Sequence, residues 1–201
     1  MEQKIKWILF DVSGVIVNLI LRNPDGYDIG SRHFNAAELE GFYFTRDLNN
    51  YMLGLLSHEQ FIGRYLTRKK LDVSVDELNS VIQQDITPIQ GMVELIETLS
   101  HKYHIALATN DGNLISKYKI EKSGVIPFLS KVIASHRIHE LKPHIPFYKK
   151  TVELLNTKYE NCVFIDDTKE NIITANTLGM KGILFTDIFQ LKKDLHELQL
   201  L

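Results

Sequence analysis

The 201 residues carry a net charge of -2 and are 44% hydrophobic, enough to bury a core as one domain or as one domain carrying an insertion. A charge so near zero lacks the basic footprint of a nucleic-acid binder. The single cysteine, Cys162, excludes an internal disulfide and reads as an inert thiol in an apolar strand, in keeping with a reducing compartment.

Lys6 to Phe10 is the first predicted strand, ending at Asp11 and a turn over Val12-Ser13-Gly14. Charged Glu2, Lys4 and Lys6 ahead of the apolar run Trp7 to Leu21 imitate a signal peptide. Asp11 and Asn18 interrupt that run, however, and no small-residue cleavage site follows, so a strand with its turn is the better reading. No other stretch is long and apolar enough to span a bilayer, and we expect a cytoplasmic protein with no membrane partner.

From Val17 to Thr87 the pattern is helical, with no convincing strand pair. Asn23-Pro24-Asp25-Gly26 marks a turn near the entry. Helices are predicted over Ala36 to Tyr51, Ser57 to Lys70 and Ser74 to Gln84, the second opening with a capping box at Ser57 and Gln60. We therefore expect an all-helical insertion over 17–87 and a main body made of 1–16 and 88–201.

After Pro88 a helix of the body resumes at Met92, and strands then alternate with helices. The strands are Ile105 to Thr109, Val132 to Ser135, Cys162 to Ile165 and Gly182 to Phe185; the helices are Asn113 to Lys122, Pro146 to Asn156 and Lys169 to Leu178. This is the alternation of a doubly wound parallel α/β sheet. Such sheets present ligands at the carboxyl ends of their strands. Here those ends carry Asp11, Thr109-Asn110-Asp111-Gly112 and Asp166-Asp167-Thr168, which look like one site assembled from separated parts of the chain.

FDVSGVI, LATN, the Lys142-Pro143 pair and FIDDTKENI, in that order and spacing, resemble the four motifs of the haloacid dehalogenase-like hydrolases. The resemblance implies a Rossmann-like sheet of order 3-2-1-4-5 with a helical cap inserted after the first motif. It also implies a site. Asp11 would be nucleophile and metal ligand, with the Ser13 backbone carbonyl a second ligand and Asp167 the metal-binding acid. Asp166 would be a supporting ligand, directly or through water. Thr109 and the Asn110 backbone would bind phosphate, and Lys142 would balance the charge of nucleophile and phosphate. The residue types suit that chemistry, because a carboxylate attacks a phosphoryl group only once charge is neutralised, and hard oxygen ligands hold Mg2+ for the purpose.

Ser13 departs from the pattern. Phosphatases of this group usually carry a second Asp there to protonate the leaving group and activate water, work for which a serine hydroxyl is too weak an acid. Losing such help typically costs on the order of 10² to 10⁴ in rate. Slow hydrolysis, an undemanding leaving group, an acid from the cap, and no catalysis at all remain open. Relatives carry threonine, tyrosine, alanine or glycine at this position, so Ser13 does not decide the reaction.

Taken singly, an Asp or Thr at a strand end is most often a turn former. The ordered set points instead to a Mg2+-dependent phosphatase of a small phosphorylated metabolite working through phospho-Asp11. The alternatives are a metal-independent dehalogenase-like hydrolase and a phosphate-binding protein that turns over poorly. The oligomeric state stays open, with a monomer plausible. His136, His139 and His144 match no familiar metal spacing and read as loop histidines. Arg68-Lys69-Lys70 reads as favourable charge at a helix C-terminus, and Phe189 to Leu201 as a docking amphipathic helix. Asn171 either orients the fourth motif or simply begins a helix, and Arg46 and His58 are candidates for substrate contact or for surface pairing and capping.

Overall fold

The structure is a computed structural model that describes residues 5–43 and 45–201; Glu2 and Lys4 of the charged N-terminal run lie outside them. Trp7–Phe10 forms the first strand, β1. The segment that follows holds Tyr27–Ile29 (β2), Arg32–Phe34 (β3), Ala36–Leu39 (α1), Arg46–Met52 (α2), His58–Lys69 (α3) and Val75–Asp85 (α4). The body continues with Met92–Ser100 (α5), His104–Thr109 (β4), Asn113–Lys122 (α6), Lys131–Ala134 (β5), Ser135–Ile138 (α7) and Ile145–Leu154 (α8). It closes with Cys162–Asp166 (β6), Lys169–Thr177 (α9), Lys181–Leu184 (β7) and Ile188–Glu197 (α10). No helix among the described residues is long and apolar enough to cross a membrane.

The sheet has the order β5-β4-β1-β6-β7, all neighbours parallel, which is the expected 3-2-1-4-5. Alternate strand residues go to opposite faces, so both faces must be apolar and both must be covered. Ile8, Phe10, Ile105, Leu107, Val163 and Ile165 face one side, with Leu95 and Ile96 of α5, Ile115 of α6 and Leu191 and Leu195 of α10. Leu9, Ala106, Ala108, Cys162 and Phe164 face the other, against Phe147 and Tyr148 of α8 and Ile172 and Ala175 of α9. Burial pushes the Cys162 thiol up to about 12, with the charge of Glu160 adding to it, so the thiol is inert as expected.

Two expectations for 17–87 need correction. The segment is not all helical: β2 and β3 pair as an antiparallel hairpin, Tyr27 against Phe34 and Ile29 against Arg32. Strands of three residues are too short for a readable alternation, and the tie that anchors this hairpin is long-range, from the Tyr27 hydroxyl to Asp85 Oδ2 at 2.8 Å. The helix predicted over Ala36 to Tyr51 is two helices, each with its own N-cap. Asn35 accepts from the Glu38 amide and Thr45 from the Leu48 amide. The break between them carries Phe42 into an aromatic cluster, edge-on to Phe61 and Tyr65 at 5.2 Å each. Capping boxes at Ser57/Gln60 and Ser74/Glu77 start α3 and α4.

Tyr51 joins the inserted segment to the body. Its hydroxyl oxygen accepts from the Leu114 and Ile115 amides at the start of α6, both at 3.2 Å, and its proton goes to His58 Nδ1 at 2.9 Å. His58 Nε2 in turn donates to Asn79 Oδ1 at 2.6 Å, so the imidazole is neutral. Gly112 makes room for the ring, since a Cβ there would lie 2.1 Å from Tyr51 Cζ. At the other end the two connecting strands of chain are stitched by Asn18. Its amide donates to Thr87 O at 3.0 Å, and its Oδ1 accepts from the Thr87 amide at 2.7 Å.

Burial holds His58 below the ordinary imidazole range, against the opposing effects of Asn79 and Glu59. In the unfolded chain it titrates near 6.5, so the stabilisation it contributes is complete above about 6.5 and is lost as pH falls below that. We expect the urea midpoint of the wild type to drop more between pH 7.5 and 5.5 than that of His58→Gln. Equal drops would assign the acid sensitivity to other groups.

Candidate functional site

The carboxyl ends of β1, β4 and β6 converge on one place. Asp11 follows directly after β1, where its amide donates to Ile165 O at 2.8 Å and so continues the ladder to β6. Its Oδ1 accepts from the Val12 amide at 2.7 Å and from Lys142 Nζ at 2.9 Å. Lys142 also donates to Asp166 Oδ2 at 2.7 Å. Lys142 and Asp166 have side chains 1% and 0% exposed, so this is a buried ammonium bridging two carboxylates. Burial works against the charge of Lys142, but Asp11 and Asp166 outweigh it and hold its pKa up. Burial likewise raises Asp11; Lys142 opposes the shift and Asp166 adds to it.

Neighbouring side chains fix these groups. Asn110 Nδ2 donates to Lys142 O and Asn110 Oδ1 accepts from the Lys142 amide, both at 2.9 Å, a reciprocal clamp on the lysine's backbone. Asp166 Oδ1 accepts from the Thr168 amide at 2.9 Å and from Asn171 Nδ2 at 2.8 Å, while Tyr148 donates to Asn171 O. Asn171 therefore does orient the fourth-motif loop. Thr109 is buried, and its hydroxyl donates to Asp111 Oδ2 at 3.2 Å.

Asp11, Asp166 and Asp167 each offer a carboxylate oxygen within 4.8 Å of the others, a set of hard oxygen donors suited to Mg2+. Burial and the charge of Asp166 raise Asp167, and a divalent cation among these three carboxylates would relieve their mutual repulsion. Gly14, at φ +78, leaves the space Asp167 occupies. A Cβ there would lie 2.2 Å from Asp167 Oδ2.

Sequence reading missed Lys119 and gave Asp111 no role. Lys119 lies on α6 with Nζ 2.6 Å from Ser13 Oγ and 3.0 and 3.1 Å from the two oxygens of Asp111. Both side chains of that pair are nearly buried, at 4% and 8% exposure. The available signal was register: Lys119 follows Ile115 by four positions and so shares the buried stripe of the helix.

A cavity of about 350 Å³ lies against this cluster, between the strand ends and the inserted segment. Asp11, Ser13, Asn110 and Asp167 form its floor, and Arg22, Tyr43, Leu48 and Met52 face them from the other side. Neither Arg46 nor His58 lines it. The three histidines do not converge on a site among the described residues: His136 and His139 bond the carbonyls of Asp111 and Leu53, each at 2.8 Å. Arg68 pairs with Asp47 at 3.0 Å and Lys69 reaches Ala37 O, a structural use of that basic run.

The profile of the haloacid dehalogenase-like hydrolases matches residues 8–185. A flavin mononucleotide hydrolase of Arabidopsis thaliana is 28% identical over 149 residues, spanning 72% of this chain and 59% of that protein. The pyrophosphatase PpaX of Bacillus mycoides (strain KBAB4) is 24% identical over 195 residues, spanning 90% of this chain and 83% of that protein. In structure the chain resembles an enzyme of the same family from Bacteroides thetaiotaomicron, solved with magnesium and inorganic phosphate. The TM-score is 0.76 at 19% identity, with 92% of this chain and 96% of that one covered.

Replacing Lys142 by Met removes the charge between two buried carboxylates. We expect the variant to lose about 3–5 kcal/mol at pH 7.5, as for other broken buried pairs. Part of the loss should return on acidification, when a proton takes the ammonium's place. Urea unfolding at two pH values would test this, and a loss independent of pH would count against the bridge.

Proposed function

Because the chain belongs to the haloacid dehalogenase-like hydrolases, we propose that it hydrolyses a small phosphomonoester with Mg2+ through a phospho-Asp11 intermediate. The observation that carries this reading is the Lys142 bridge between Asp11 and Asp166 beside Asp167, a site built to gather negative charge. In this reading residues 17–87 act as a cap over a core of 1–16 and 88–201, excluding bulk water and selecting the substrate.

Asp11 Oδ1 is held by Lys142 and by the Val12 amide, which leaves Oδ2 as the attacking oxygen. Asp11, Asp167 and the Ser13 carbonyl would hold Mg2+, with Asp166 as a supporting ligand, directly or through water. The ion, when bound, draws charge from the phosphoryl oxygens and lets a carboxylate approach them. Lys142 balances charge on Asp11 throughout, and Asn110 holds Lys142 in place. Attack forms the acyl phosphate and releases the alcohol; water then cleaves the acyl phosphate to give inorganic phosphate and restore Asp11.

The cavity supports a substrate with an apolar or aromatic body, for which Ile20, Phe42, Leu48 and Met52 provide contact surface and Arg22 a cation. The named activities of the Arabidopsis and Bacillus relatives, and magnesium and phosphate bound to the Bacteroides enzyme, support hydrolysis of a phosphorylated substrate, and the flavin mononucleotide hydrolase supports a monoester. A metal-independent dehalogenase would use Asp11 as nucleophile but would need no metal-binding set of three carboxylates.

We expect a panel of phosphorylated metabolites to yield phosphate with Mg2+ and none with EDTA. Asp11→Asn keeps shape and loses the nucleophile, so turnover should fall by at least about 10³-fold, as for other lost nucleophiles. The wild type should bind beryllium fluoride with Mg2+ as an aspartyl-phosphate mimic, and Asp11→Asn should not. Activity in the variant equal to wild type, with contamination excluded, would sink covalent catalysis.

A further inference from the structure

Ser13 stands where the family resemblance implies an Asp in most phosphatases, and a replacement acid from the inserted segment is the obvious remedy. The cavity offers none. Among the described residues, the wall contributed by 17–87 contains no carboxyl and no imidazole; its polar members are Arg22, Tyr43 and Asn49. That wall therefore supplies no carboxylic acid or imidazole in place of the missing one, and the floor offers a different kind of help.

Lys119 supplies a route. An ammonium has three protons to donate. Those of Lys119 go to Ser13 Oγ at 2.6 Å and to Asp111 Oδ1 and Oδ2 at 3.0 and 3.1 Å. Asp111 is itself tied down, its Oδ2 by the Thr109 hydroxyl and its amide by Ser135 Oγ at 3.1 Å, so Lys119 cannot follow a mobile partner. Ser13 Oγ is therefore fixed as an acceptor, and its own proton must point elsewhere. Among the described residues Lys119 is the one hydrogen-bond partner of Ser13 Oγ, and both residues line the cavity that holds Asp11. An in-line displacement at phosphorus places the leaving oxygen on the side away from Asp11, within the cavity that Ser13 also lines.

We propose that Ser13 Oγ–H donates a hydrogen bond to the leaving-group oxygen, and that Lys119, held by Asp111, is the positioning residue that polarises and aims that hydroxyl. This rests on the phosphatase reading above. As the phosphorus–oxygen bond breaks, its electron pair stays on the leaving oxygen, Ser13 stabilises the charge, a water gives the proton that completes the alcohol, and the hydroxide so formed is consumed when phospho-Asp11 is hydrolysed. Asp11 keeps the phosphoryl group. A fixed donor of this kind acts on developing charge without changing its own protonation.

The test is leaving-group dependence in the intact, Mg2+-loaded protein. kcat/KM is measured with p-nitrophenyl phosphate, whose leaving group needs little help, and with benzyl phosphate, whose leaving group needs much. Ser13→Ala and Lys119→Met should each lower kcat/KM for benzyl phosphate by about 10²-fold, the typical cost of one lost donor of this kind. For p-nitrophenyl phosphate the loss should stay within about 3-fold, and the Ser13→Ala/Lys119→Met double variant should be no worse than either single one, since both act as one unit. Ser13→Thr, which keeps a hydroxyl, should retain the wild-type ratio between the two substrates. If Lys119→Met fails to fold for want of a partner to Asp111, Lys119→Met/Asp111→Asn replaces it. Equal losses on both esters, or additive losses in the double variant, would overturn the proposal while leaving phosphatase activity standing. No phosphate release by the wild type from either ester would overturn the phosphatase reading and this proposal together.

Discussion

Everything at this site depends on one buried ammonium. Without Lys142, Asp11 and Asp166 would face each other across the carboxyl edge of the sheet with nothing between them, and one would take up a proton. With it, one ammonium donates to both carboxylates in a place water hardly reaches. The surrounding hydrogen bonds serve that arrangement: Asn110 clamps the lysine's backbone, while Asn171 and Thr168 hold the far side of Asp166. A buried ion pair is costly to build, and here the cost maintains an anionic oxygen at the mouth of a cavity.

A second buried cation, Lys119, sits across the same floor, and the two lysines divide the site by function. In the proposed reaction Lys142 would belong to the side that receives the phosphoryl group, and Lys119 to the side from which the alcohol departs. Each is held by a carboxylate that takes no part in attack, Asp166 for one and Asp111 for the other. The absence of an acid at position 13 is thus matched by a charge arranged behind the hydroxyl that stands there.

The sheet and the residues at its strand ends were legible in the sequence because their signals are local. A parallel strand buried on both faces is a short apolar run, and Asp11, Thr109 and Asp166 each end such a run. Lys142 was identified by its place in a known order of motifs. Lys119 was not, because a lysine within a helix gives no sign by itself of facing inward; only its register with Ile115 could have shown it. The β2–β3 hairpin escaped for a related reason. Its strands are three residues long, and the tie that anchors it runs from Tyr27 to Asp85, far away in sequence. The division between α1 and α2 follows from competing N-caps and from the pull of Phe42 into an aromatic cluster, a tertiary demand that helical periodicity does not register.

The close approach of Tyr51 to Gly112 ties two distant positions into one evolutionary unit. Any side chain at 112 would run into the phenol ring, and any residue other than tyrosine at 51 would take the Tyr51 oxygen from the Ile115 amide and leave the Leu114 amide to Asn113 Oδ1. Neither position is free to drift while the other stays. A lineage that enlarges residue 112 must shrink residue 51 and find another cap for the helix, so substitutions at the two sites should be inherited as a pair. Lys119 rides on the same helix, and a change that shifts its start would carry through to the far end of the site, making the fit between inserted segment and body a brake on how fast this cavity can acquire new substrates.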